Sequence, residues 1–208
     1  MKETLNLIAH ATHNEFDTLI LGKAGDQIGC ELQARAWFSY PWDYIYRAKN
    51  IEDREKIANL VEKAVLNGFI GYDTNRNNRD TLFKNIYKNF PPVDINKGSE
   101  ELEDMDPIYI NITPVEEINT HCYTDCSSLG YCAIYQITGV PFRPTLDMKK
   151  ESLVNICPKV IHYADYMQLD KVAALFDKLE GDEYISSSKN LLRGDILVAL
   201  GHHIAIWI

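Results

Sequence analysis

Thr124-Asp125-Cys126-Ser127-Ser128-Leu129-Gly130-Tyr131-Cys132-Ala133-Ile134-Tyr135 is a polar knot that runs directly into an apolar-periodic segment. Thr and Asp are good helix N-caps, so a helix is expected to open at or beside Cys126. A thiol there lies at the positive end of the helix dipole, close to N–H groups that the helix itself leaves unbonded. Both influences favour thiolate over thiol, and thiolate is the nucleophile. A nucleophile also needs a base. Gly201-His202-His203-Ile204-Ala205-Ile206-Trp207-Ile208 supplies one at the head of an apolar strand. A cysteine opening a helix and a histidine opening a distant strand are the minimal parts of a thiol hydrolase.

The neighbours of these residues sharpen the reading. A free cysteine often packs as a small hydrophobe. Cys132 falls on the apolar stripe of the same helix and reads as core, and Cys122 has no helix start behind it. Cys126 differs because Asp125, Ser127 and Ser128 surround it. Strand side chains alternate, so His203, Ala205 and Trp207 share one face while Ile204, Ile206 and Ile208 share the other, the core side. His202 falls in the turn, which makes His203 the better base and His202 the reserve. Spacing alone does not identify the third group that would orient the imidazole.

The totals fit this picture. The chain has 208 residues and a net charge of −9, which suits a single globular domain and disfavours non-specific binding to nucleic acid or anionic membranes. No apolar run has the length of a membrane span, and the start Met1-Lys2-Glu3-Thr4-Leu5-Asn6 lacks the apolar segment of a secretory leader. The chain is therefore expected to be made in the cytosol. The five cysteines, Cys30, Cys122, Cys126, Cys132 and Cys157, do not read as a disulfide framework. His121, Cys122, Cys126 and Cys132 lack the second close ligand pair of a structural zinc site, so no metal or other cofactor is expected.

Outward from the centre, Ile51 to Asn67 is the clearest helix, with Ile57, Leu60, Val61, Ala64 and Val65 on one stripe and Gly68 as its stop. Thr81 to Asn89 reads as a short helix, and Asp165 to Leu179 as another with Val172, Leu175, Phe176 and Leu179 on one face. Alternation over Glu31 to Tyr40 and the run Leu19-Ile20-Leu21 read as strands; Asp195 to Leu200 and His203 to Ile208 read as a hairpin. Residues 1–16 read as mixed and helix-compatible. Phe69 to Asp80 reads as a polar loop. Gly22 to Gly29 is turn-rich but lacks the ending of a phosphate loop. Residues 93–107, with Glu100-Glu101-Leu102-Glu103-Asp104, read as a flexible acidic loop, and residues 1–24 as a possible N-terminal extension of one domain spanning 1–208.

Three ordered pieces resemble the NlpC-type cell-wall peptidase family: Asp125-Cys126-Ser127-Ser128-Leu129, then Gly194-Asp195-Ile196-Leu197, then His203-Ile204-Ala205-Ile206-Trp207-Ile208. Upstream, Gly25-Asp26-Gln27, Ala36-Trp37-Phe38-Ser39-Tyr40-Pro41-Trp42-Asp43 and Ile70-Gly71-Tyr72-Asp73-Thr74-Asn75-Arg76-Asn77 are similar to clostridial phage and prophage lysins. The resemblance implies an α+β, papain-like fold with the Cys helix packed on an antiparallel sheet that carries the His. It implies a phage or prophage hydrolase of bacterial peptidoglycan, acting on the wall after release, with a D-glutamyl–diamino acid stem-peptide bond as substrate. An amidase cutting between muramic acid and L-alanine, or a catalytically silent wall-binding or phage structural module, is the alternative. By motif, Cys126 is the nucleophile and His203 the base, while Asp125, Ser128 and Tyr72 shape the substrate end of the cleft. The family's orienting His, Asn or Gln follows the His strand, whereas this sequence stops at Ile208. The orienter is thus expected from beyond this sequence or from elsewhere in it, or the site is weakened.

Overall fold

The computed structural model describes residues 6–12, 32–74, 78–88, 112–140, 160 and 163–208. In chain order they form β1 (Ile8–Ala11), β2 (Leu32–Arg35), β3 (Tyr44–Ala48), α1 (Ile51–Leu66), β4 (Ile70–Tyr72) and α2 (Thr81–Ile86). A 3-10 turn at Val115–Glu117 leads to β5 (Cys122–Thr124) and α3 (Cys126–Thr138). The short helices α4 (Tyr163–Gln168) and α5 (Asp170–Ala173) precede β6 (Phe176–Leu179), and α6 (Asp182–Ile185) precedes β7 (Ile196–Ala199) and β8 (His203–Trp207).

Two well-capped helices build the main layer. Asn50 caps α1, its side chain accepting the Glu52 N–H, and the predicted stripe from Ile57 to Val65 is buried. Asp125 caps α3 and Gly139 ends it in the left-handed conformation, at φ 62°. Both helices pack on one face of a sheet ordered β2-β1-β8-β7-β3-β6, in which every strand pair is antiparallel. β4 and β5 form a separate parallel pair in which Tyr72 lies opposite Thr124. The chain is therefore α+β with an antiparallel sheet and helices.

Both faces of the sheet are covered. Ile196, Val198, Ile204 and Ile206 face the helices, whereas Ile8, Ile45, Leu197, Ala205 and Trp207 join Trp42 in a second cluster behind them. The parity expected for β8 is thus observed, with Ile204 and Ile206 on the helix side. Gly130 lets α3 approach β8 closely: a Cβ there would lie 3.2 Å from Ile204 Cγ2 and 2.7 Å from the Tyr163 hydroxyl.

Several expected elements differ from those observed. The stretch expected to be helix-compatible at residues 1–16 contributes β1, which lies between β2 and β8. It is buried at all four positions, so it shows no alternation to read. The expected loop from Phe69 holds β4, three residues long and so too short to display a period. The expected helix Asp165–Leu179 breaks into α4, α5 and β6, because Phe176–Leu179 pairs with β3. Only Leu32–Arg35 of the alternating stretch from Glu31 to Tyr40 is strand, and β3 follows the Pro41 turn unforeseen. Leu19-Ile20-Leu21, Gly22 to Gly29 and residues 93–107 lie outside the described residues, as do most of residues 1–24.

Candidate active site

The site begins at the junction of β5 and α3. Asp125 leaves the strand in extended geometry, with φ −109° and ψ −179°, and turns its carboxylate back over the first turn of the helix. Oδ1 accepts the Ser128 N–H at 2.7 Å and the Ser127 hydroxyl at 2.8 Å; Oδ2 accepts Arg79 Nη1 at 2.8 Å. Both carboxylate oxygens are therefore engaged within the fold. Asp125 fixes where the helix starts, and with it the position of Cys126. Ser128 is wholly buried, and its hydroxyl has no hydrogen-bond partner among the described residues.

Cys126 is half-buried at the first position of α3. The backbone N–H groups of Ile204 and Ser127 lie close enough to its sulfur to favour the thiolate. The thiol nevertheless sits well above the ordinary range, pushed up to about 12, chiefly by burial and then by the Asp125 charge; the two N–H groups and Arg79 act the other way. The expected lowering by the helix start is thus present but outweighed by desolvation. Tyr72 packs beside this site. Its phenol is also pushed up to about 12, by burial first and then by the Cys126, Asp125 and Asp73 charges.

His203 opens β8 opposite Ala199 of β7. Ile204, whose N–H favours the Cys126 thiolate, is the next residue, so the thiol lies near the head of the histidine strand. The imidazole itself hydrogen-bonds elsewhere. Its Nε2 lies 2.7 Å from Nδ1 of His10 on β1, and Tyr40 and Trp42 flank the ring at centroid separations of 5.8 and 6.1 Å. Cys126 and His203 thus both lie near the head of β8, but the imidazole is on the face with Ala205, Trp207 and Trp42, away from α3, and no hydrogen bond joins the two. Burial holds the His203 imidazole down at about 4, and burial plus the neighbouring His203 and Arg35 holds His10 at about 3. Both rings are neutral at physiological pH. His202 is exposed in the turn, where its N–H bonds the Ala199 carbonyl.

The Gly194-Asp195 piece braces this strand. Gly194 has φ 89°, and its N–H bonds the Trp207 carbonyl, while the Trp207 N–H bonds the Asp195 carbonyl. The Asp195 carboxylate is fully buried. It takes two hydrogen bonds from Arg47, at 2.8 and 2.6 Å, and one from the Leu192 N–H at 2.8 Å.

Two parts of the site escape sequence reasoning. One is the aromatic wall of Tyr40 and Trp42. The other is His10, a lone polar residue inside the apolar run Leu7-Ile8-Ala9-His10-Ala11. A histidine in such a run is the signal that could have marked it. Among the described residues, no group of three or more His, Cys, Asp or Glu side chains could hold a metal ion, and no helix is long and apolar enough to cross a membrane.

Comparison with known proteins gives one match. A model of the endolysin-like domain family aligns with residues 8–101 and 108–208, covering β1 through β8. No curated protein and no solved structure matches the chain. With nearly its whole length aligned, Cys126, His203 and His10 included, the chain belongs to the endolysin-like domain family.

Proposed function

We propose that the chain is a peptidoglycan hydrolase of papain-like design that cleaves a stem-peptide amide with Cys126 as nucleophile and His203 as general base. The observation that carries this reading is the position of Cys126 at the Asp125-capped start of a helix that packs directly on β8, the strand that His203 opens. Membership of an endolysin-like family supports a wall substrate. The D-glutamyl–diamino acid bond is the proposed target, and action on the wall follows release from the cell that made the protein.

With both groups neutral at rest, charge separation belongs to the reaction and not to the resting site. His203 turns onto the thiol and takes its proton as Sγ bonds to the substrate carbonyl carbon. The carbonyl electron pair moves to oxygen, where the Cys126 backbone N–H at the helix start helps to hold it. Collapse breaks the C–N bond, and His203 returns the proton to the departing amine. Water, deprotonated by His203, then attacks the thioester, releasing a carboxylic acid and restoring the thiol. Asp125 acts by fixing the helix start, and Tyr72 lines the approach.

The test is mass spectrometry of fragments released from purified peptidoglycan by the parent and by Cys126→Ala. New stem-peptide ends with the parent alone are expected, and their masses identify the bond; ends at muramic acid would indicate the amidase instead. Equal release by Cys126→Ala would sink the thiol mechanism. The raised thiol and the lack of a direct Cys126–His203 hydrogen bond favour, as a second reading, a silent wall-binding module. That module would bind peptidoglycan in a pull-down yet release nothing.

A further inference from the structure

We infer that His10 is the positioning residue of the site: its Nδ1 accepts the Nε2–H of His203 and so leaves His203 Nδ1 as the free basic nitrogen. This inference rests on the thiol-hydrolase reading above and extends it to the other end of the chain.

A histidine base works only in the tautomer that leaves its lone pair toward the nucleophile, and a third group normally fixes that tautomer. The described part of β8 offers no such group after His203. The neighbouring strand does. β1 runs antiparallel to β8, with Ala9 opposite Ile206 and Ile8 opposite Trp207. Continued by one residue, this register sets His10 beside Ala205, diagonal to His203 and on the same face, and the two rings meet edge-on with centroids 4.9 Å apart and nitrogens 2.7 Å apart. That separation requires one nitrogen to carry a hydrogen and the other a lone pair. Two neutral rings satisfy it, whereas two imidazoliums would set N–H against N–H.

The packing around His10 holds its ring in place. It is 2% exposed on a strand bonded on both sides, and Phe38 stands 5.8 Å from its ring. The Arg35 charge nearby opposes a second proton on His10. With His10 protonated on Nε2, its Nδ1 accepts from His203 Nε2, and the remaining His203 nitrogen is free to take the thiol proton.

Two substitutions separate positioning from packing. The amide oxygen of Asn can occupy the place of histidine Nδ1, so His10→Asn retains an acceptor; His10→Leu fills space without one. His10→Leu is expected to lower kcat for muropeptide release about tenfold or more while KM stays within about twofold, and His10→Asn to recover most of the loss. Nitrogen-15 NMR of the parent is expected to show His203 as the Nε2–H tautomer. A parent with His203 protonated on Nδ1 would overturn the inference without any variant, even if His10→Leu fails to fold. A folded His10→Leu with unchanged kcat would also overturn it, while the Cys126 dependence of turnover would still stand. If Cys126→Ala retained turnover, the hydrolase reading would fall, and the His203 tautomer alone would decide the pairing.

Discussion

Arg79 donates to Asp125 across 2.8 Å, and the two side chains are 3% and 9% exposed, so the carboxylate that starts the Cys126 helix is held by an almost enclosed ion pair. Removing one member of such a pair leaves its partner desolvated. Arg79→Leu is therefore expected to lower unfolding free energy by about 3–5 kcal/mol, measured by urea denaturation. A loss below about 1 kcal/mol would mean that the Ser127 and Ser128 bonds carry Asp125 unaided.

The two buried histidines set an acid limit. Their protonation is depressed from the ordinary 6.5 to about 3 for His10 and about 4 for His203. The unfolded chain therefore binds more protons than the folded one below about pH 6.5. The stability they contribute is complete above that pH and is lost as pH falls toward 4 and then 3, at up to roughly 1.4 kcal/mol per pH unit for each ring. Thermal unfolding from pH 7 to pH 4 is expected to show a falling midpoint, and His10→Asn a shallower fall. An equal slope in parent and variant would remove His10 from the account.

Thiol chemistry gives a third expectation with the opposite direction. Cys126 holds its proton to about 12, so little thiolate exists at pH 7. Iodoacetamide labelling of Cys126, followed by peptide mass spectrometry, is expected to be at least about tenfold slower at pH 7 than for a free cysteine peptide. It should still be rising beyond pH 9. Rapid labelling at pH 6 would falsify the neutral resting site and restore the low-pKa thiolate that the helix start alone suggests.

The parts of the fold that sequence reveals are those specified locally. α1 and α3 announce themselves through caps, stripes and stops, and β7–β8 through the Gly201-His202 turn. The parts it hides depend on partners far along the chain. Phe176 and Leu179 are three residues apart, the spacing of a helix stripe, yet both lie on β6 because β3 offers an unpaired edge. The site divides in the same way. Cys126 and His203 are proposed from their local settings, a helix start and a strand start. His10 acquires its place only from the register of β1 on β8, a pairing of residues near opposite ends of the sequence. The helix-start argument for thiolate fails for a related reason: burial of the sulfur is a tertiary quantity, and it outweighs the local dipole.

Gly194 provides the last expectation. Its φ of 89° already disfavours any residue with a Cβ. Its surroundings are stricter still, because a Cβ would collide with the Arg54 carbonyl oxygen and stand 2.7 Å from the Arg54 Cα, both backbone atoms of α1. Neither can move without shifting the helix. The residue also joins β8 through Trp207 and precedes Asp195, whose carboxylate anchors Arg47. Gly194→Ala is thus expected to lower stability by about 2–4 kcal/mol, more than the strain of φ alone, because the clash is with backbone. It should also weaken muropeptide release in the fraction that remains folded, since the displaced strand carries His203 and the Ile204 N–H. Denaturant unfolding paired with turnover per folded molecule measures both effects. Full stability in Gly194→Ala would show that α1 and the Gly194 turn can separate without loss, and would remove the brace from the account of the site.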